Sequence, residues 1–206
     1  MKKNTKDVIL DEAFRLFGQH TYEQVTFKEL EQATKLSRGA IMYHFETKEM
    51  IFRSMCDRCL LEKTSILSII NEKLGDESYE NISLKNYIDS YIDTVRELVE
   101  YGNSRNLKHI HKAIINITNQ TIYYYPDFQK KSLKFKFQQI QLWKDKFMIA
   151  RKKGEINDKI DLDLISETFE NIYSGIVYGS IIYEDGIELL SELKKTFGLM
   201  YRLIKS

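Results

Sequence analysis

Between residues 26 and 48 the chain sets out side chains able to hold a polyanion and to read it. Lys28, Tyr43, His44 and Lys48 can donate hydrogen bonds to phosphate oxygens. Arg38 carries a planar fork that can meet a guanine edge at two points. Ala40 and Met42 offer apolar contact to bases on the same short run, and Gly39 leaves room where a backbone must come close to its ligand. Such groups read a surface only when rigid elements hold them, and the flanking residues supply those elements. Thr26 followed by Glu29 is a capping box, which opens one helix by satisfying two orphan amides. Ser37 can cap a second helix. Thr34-Lys35-Leu36 between them is too short for anything but a turn, with Leu36 placed to plug the gap. Two helices across such a turn make a helix-turn-helix over residues 26–45, whose second helix suits the major groove of DNA.

At these residues the chain resembles the TetR family of bacterial transcriptional regulators. The matching positions are Thr26, Ser37, Gly39, Ile41, Tyr43, His44, Phe45 and Lys48, with Ile9, Ala13, Leu16 and Phe17 on one stripe upstream. Thr47-Lys48-Glu49-Met50-Ile51-Phe52 resembles the family's fourth helix, and Gly154-Glu155-Ile156 ahead of Asp161 is a weaker echo. The close likeness covers about the first quarter of the chain. Glu31 and Lys35 depart from the small residues usual in the family. Met42 stands where the family usually has a tyrosine that bonds a backbone phosphate. The resemblance implies DNA contacts from Thr26, Lys28, Ser37, Arg38, Gly39, Ala40, Met42, Tyr43, His44 and Lys48, with Phe45 in the core. It also implies a repressor that a small ligand releases from a palindromic operator, its half-sites about 34–36 Å apart.

Composition bounds the rest. A chain of 206 residues with one proline and nine glycines, rich in helix formers, predicts an all-α protein. The expected plan is an N-terminal three-helix helix-turn-helix DNA-binding domain over residues 1–50, then a C-terminal helical ligand-binding and dimerisation domain over 51–206. A net charge of +1 makes the whole molecule no polycation. DNA affinity must then come from placement, with Lys2, Lys3, Lys6, Lys28, Lys35, Arg38 and Lys48 on one face. The N-terminus has no apolar leader and no long apolar run follows, so the expectation is a cytoplasmic protein without membrane contact. Cys56 and Cys59 lack the strand-to-helix setting of a redox pair and read as free thiols. No cofactor or metal is called for: His109 and His111, two apart, do not share a helix face. No HExxH, phosphate-cradling loop or nucleophile–base pair suggests an enzyme.

Downstream, Thr47 should cap a long fourth helix reaching about Lys73 and stopped by Gly75. Helices should follow over about 83–101, 104–124, from Pro126 to Gly154, and over 161–183 and 187–204. The last two carry apolar residues on more than one stripe, which invites a symmetric partner in a four-helix bundle. The expected homodimer residues are Phe169, Ile172, Ile176, Gly179, Leu193, Phe197, Met200 and Tyr201. Aromatic residues crowd the second domain, and a cavity lined by them would take a flat or apolar effector. Tyr87, Tyr91, His109, Tyr123, Trp143, Phe147, Phe169 and Tyr173 are its candidate residues. The lysine run over 130–153 reads as a solvated face. The other functional reading is a DNA-binding protein that answers to a partner protein or organises the chromosome, with no small-molecule effector.

Overall fold

The computed structural model of the chain describes residues 4–62, 65–104, 110–182 and 186–206. Among these the protein is all-helical, and the one pairing of extended backbone is an isolated bridge between Ile156 and Lys205. The calls on Lys2, Lys3, His109 and most of the turn at 184–186 lie outside the described residues.

Helix α1 spans Thr5–Gln19, with the Asn4 side chain accepting from the Lys6 amide. Its buried stripe includes Ile9, Ala13, Leu16 and Phe17. Helix α2 spans Phe27–Thr34 and opens on the expected capping box. The Thr26 amide donates to Glu29 Oε2 at 2.7 Å, and the Glu29 amide donates to Thr26 Oγ1 at 3.3 Å. Lys35 adopts φ 60° and ends the helix in the left-handed region. Helix α3 spans Arg38–His44 behind Ser37, and α4 spans Lys48–Cys56 behind Thr47.

The long fourth helix does not form as expected. Its ladder widens into a π-helical turn at Asp57–Glu62, and a separate helix α5 runs Ile66–Asn81 behind Ser65. The Asp57 carboxylate accepts from Tyr125 Oη at 2.9 Å and Lys131 Nζ at 2.6 Å, so this turn is anchored by a distant segment. Gly75 kinks α5 at φ 68° without stopping it. Helix α6 spans Leu84–Ser104 and passes through Gly102, where an added Cβ would sit 2.6 Å from that of Ile110. Gly102 therefore serves close packing and is no helix stop. Helices α7 (Ile110–Tyr124), α8 (Phe128–Lys152), α9 (Leu162–Gly179) and α10 (Gly186–Ile204) complete the order.

The described chain forms two compact units, residues 1–64 with 112–132 and residues 65–111 with 133–206. The expected division at residue 50 therefore moves, and most of α7 joins the first unit. Physical reasons are visible in its contacts. Gly18 lets α1 approach α7 so closely that a Cβ there would meet the Ala113 Cβ at 2.6 Å. Asn116 Nδ2 donates to the Phe17 and Gly18 carbonyls, and Gln120 Nε2 to those of Phe17 and His20. These amides satisfy the carbonyls that a helix C-terminus leaves unpaired. On α4, Ile51, Phe52 and Met55 are fully buried, carrying the first core past residue 50.

In the second unit the core gathers α5, α6, α8, α9 and α10 around Trp143. Lys146 corrects the view of α8 as a solvated basic face. It is fully buried, its ammonium donating to the Tyr79 and Ile82 carbonyls at 2.9 and 2.8 Å where α5 ends. Burial lowers its pKa to about 8. Glu155 Oε2 accepts from the Leu84 amide at 2.6 Å and opens α6.

Two glycines give opposite expectations. A Gly18→Ala variant should lose about 1–3 kcal/mol of stability to the Ala113 clash. A Gly39→Ala variant, whose Cβ meets nothing within 4 Å, should gain about 0.5–1 kcal/mol from helix propensity. Urea denaturation of both checks the pair, and equal effects would contradict this packing.

Candidate nucleic-acid interface and candidate ligand site

Helix α3 is held from below and bare above. Ile41 and Phe45 are buried, while Arg38, Gly39, Met42 and Tyr43 are exposed, Tyr43 by 86%. The Tyr43 ring meets His44 edge-on at 5.2 Å. The Arg38 guanidinium lies 5.1 Å from the Phe27 ring centroid, a stacking that steadies the fork without using its donors. Ala40 and His44 are half-buried at the flanks. The Thr26 and Ser37 hydroxyls accept from the amides of Glu29 and Ala40, so both serve first as caps. Lys28 and Lys35 are exposed on α2 and its turn, and Lys6 lies 5.4 Å from the Phe45 ring.

Lys48 is the cation with a built seat. Its ammonium donates to the Tyr22 carbonyl at 2.8 Å and lies 4.2 Å from that ring's centroid, and burial lowers its pKa. Tyr22 in turn stacks on Tyr124 of α7 at 4.1 Å and meets Phe52 edge-on at 5.2 Å. Sequence reasoning missed Tyr22 and placed Tyr124 in the other domain. Nothing in local spacing could pair residues so far apart along the chain.

In the second unit Trp143 is ringed by Tyr87, Tyr91, Phe147, Phe169 and Phe197, with centroids 5.0–5.9 Å away. Tyr87 Oη donates to Asn71 Oδ1 at 2.7 Å. Trp143 Nε1 is buried without a partner. The Glu170 carboxylate lies close enough to the Tyr91 and Tyr173 phenols to act on both electrostatically. Glu170 is only 8% exposed. Burial raises its pKa to about 7, against a smaller lowering pull from Lys136. Burial also raises the Tyr91 and Tyr173 phenols.

A family model for bacterial regulatory proteins of the tetR family matches residues 9–55, the span from the α1 stripe through α4. Over these residues the chain is similar to TetR-family regulators. It is 34% identical over 98 residues to the transcriptional repressor AcnR of Corynebacterium efficiens, covering 44% of this chain and 52% of the relative. The chain thus spans about half the length of that relative. It is 24% identical over 203 residues to the transcriptional regulator QacR of Staphylococcus aureus, covering 96% of each. The solved regulatory protein TetR of Rhodobacter sphaeroides superposes with a TM-score of 0.72 at 13% identity, covering 96% of this chain and 97% of its own. These relatives are named as regulators, not enzymes. No helix of the described residues is long and apolar enough to cross a membrane.

Several expected site residues change place. Tyr123 is 77% exposed on α7 and is no member of the aromatic cluster around Trp143. Phe169, Leu193 and Phe197 are fully buried within one chain, so they cannot offer surface to a partner. Ile172, Ile176, Met200 and Tyr201 are half-buried and Gly179 is exposed. The apolar surface that α9 and α10 leave open is instead Leu164, Tyr178, Leu199 and Leu203, with Ile181 and Ile182 exposed in the short 3-10 turn after α9. Phe147 and Phe169 are wholly packed against other rings.

Glu170 should leave a mark on stability. Its folded pKa lies above the ordinary carboxylate value of 4.5, so the folded state keeps the proton longer. The stability it contributes is complete below about pH 4.5 and is lost as pH rises through about 7. Tyr91 on α6, Lys136 on α8 and Tyr173 on α9 are the ionisable groups facing it. Relative to a Glu170→Gln variant, the natural chain should lose up to roughly 3 kcal/mol across that window. Denaturation midpoints measured at several pH values check this, and parallel curves would refute it.

Proposed function

We propose that this chain is a transcriptional repressor that binds a palindromic DNA operator as a homodimer and is released by a small molecule held in its second unit. The observation that carries the reading is the bare leading edge of α3, where Arg38, Met42 and Tyr43 stand exposed on a helix anchored by Ile41. A helix so presented can enter a major groove with its side chains toward base edges. Gly39 fits the same role: nothing within the chain requires a glycine there, since an added Cβ meets open space. The names of AcnR and QacR, transcriptional repressor and transcriptional regulator, point the same way.

In this reading Lys28, Tyr43, His44 and Lys48 engage phosphates and set register, with position 42 beside the backbone, while Arg38 and Ala40 face bases. The exposed apolar side chains on α9 and α10 supply the face for a second copy. The aromatic layer around Trp143 supplies the effector site. The effector acts by preferring one of two arrangements of the dimer, because only differential affinity can shift such an equilibrium.

Selection of bound duplexes from a random pool tests the reading. The expected product is a palindrome with half-sites about one helical turn apart. A purified chain that retains no duplex at low ionic strength overturns it. On the selected operator, Arg38→Ala should cost about 1–3 kcal/mol and relax preference at one base pair. Met42→Tyr should tighten specific and nonspecific DNA alike and steepen the salt slope by about one unit. Fluorescence anisotropy at several salt concentrations reads both, and a gain confined to one base pair would contradict the phosphate assignment of position 42.

A further inference from the structure

We infer that Phe27 sets the base preference of the reading helix, because its ring holds the Arg38 guanidinium in the pose that meets a guanine edge. The inference rests on reading α3 as the helix that enters the major groove. To that contact it adds a positioning residue on another helix.

The caps bring the two side chains together. Thr26 fixes the start of α2 and Ser37 the start of α3, so Phe27 and Arg38 are the first residues of their helices. Across the turn the guanidinium carbon lies over the Phe27 ring, 5.1 Å from its centroid. Phe27 is half-buried and Arg38 is exposed, so the ring is the fixed member and the fork the movable one. An unheld arginine spreads its fork over many rotamers. That freedom is lost when two hydrogen bonds form on one base. A ring against the guanidinium removes part of the loss before DNA arrives.

The other arginines of the first unit are held differently. Arg15 pairs with Glu12 at 2.9 Å, Arg53 with Glu49 at 2.6 Å and Arg58 with Asp11 at 3.0 Å. The Arg38 guanidinium makes neither an ion pair nor a hydrogen bond among the described residues. A carboxylate partner would occupy donors that guanine O6 and N7 need, and would bring negative charge toward the DNA. A ring steadies the guanidinium through its face and leaves the N–H donors in the plane of the fork open to a base. Lys6 and Lys48 repeat the pattern: they lie over the Phe45 and Tyr22 rings, and neither pairs with a carboxylate among the described residues. Cations near α3 are thus steadied by rings, which keeps their charge available.

Because Phe27 acts through Arg38, their effects on base preference should not add. The measurement is made at the base pair of the selected operator where Arg38→Ala relaxes preference. There Phe27→Leu should lower discrimination by about two- to fivefold, the range of an exposed cation–ring contact. In an Arg38→Ala background the same substitution should leave discrimination unchanged. Phe27→Tyr keeps a ring and should keep the natural preference. Affinity for nonspecific duplex, and its salt slope, should not change in Phe27→Leu, since no phosphate contact is lost; this doubles as the folding control. In the free chain, NMR should show the Arg38 Hε resonance moving downfield in Phe27→Leu, because the shielding ring is gone. The inference is overturned if Phe27→Leu leaves discrimination intact or weakens it equally with and without Arg38. It is equally overturned if Phe27→Tyr loses the preference or if the Hε resonance stays in place. A chain whose resonance moves as expected but which retains no duplex sinks the repressor reading instead, and with it the DNA role of the stack.

Discussion

The C-terminus of α1 is completed by side chains from another part of the chain, and the reading surface depends on that contact. Asn116 and Gln120 satisfy the carbonyls at the end of α1, and Gly18 allows the approach that brings them there. The same docking sets Tyr124 on Tyr22, and Tyr22 seats the Lys48 ammonium. Lys48 opens α4, whose Phe52 closes the ring cluster with Phe17. A loss of the α1–α7 contact would therefore reach the Lys48 ammonium through rings and one carbonyl, with no change in α3 itself.

Buried polar groups are met unevenly in both units. In the first, the Asn116 and Gln120 amide nitrogens, the Arg58 guanidinium on Asp11 and the Asp57 carboxylate on Tyr125 are partnered, while Gln120 Oε1 and Arg53 Nε are buried without a partner. In the second, Lys146 finds two carbonyls, while Trp143 Nε1 and Arg151 Nε are buried without one. Such unmet demand costs stability.

Local signals were readable from the sequence and non-local ones were not. The Thr26–Glu29 box, the Ser37 and Thr47 caps and the α1 stripe are short-range grammar, and each stands where it was read. The π-helical turn at Asp57 escaped because its anchors, Tyr125 and Lys131, lie far along the chain. Gly75 and Gly102 looked like stops because glycine has several uses; one is a kink and the other a close approach. On α9 and α10, periodicity marked an apolar surplus but could not say which stripe faced the chain's own core. Phe169 and Phe197 went inward, and Leu164, Tyr178 and Leu203 were left outside. The aromatic layer was foreseen by composition, whereas the buried Glu170 beside it had no sequence signature.

The insertion of residues 112–132 into the first unit bears on how the chain is born. As synthesis proceeds, the helix-turn-helix emerges early, with the close-packed side of α1 at Gly18 still lacking Ala113. Its completion must wait until the intervening segment, residues 65–111, has left the ribosome. During that interval Phe17 and Phe52 lack the shelter of α7, a window in which a nascent chain is open to chaperones. A complete first unit is thus a late product of translation, although most of its residues are made first.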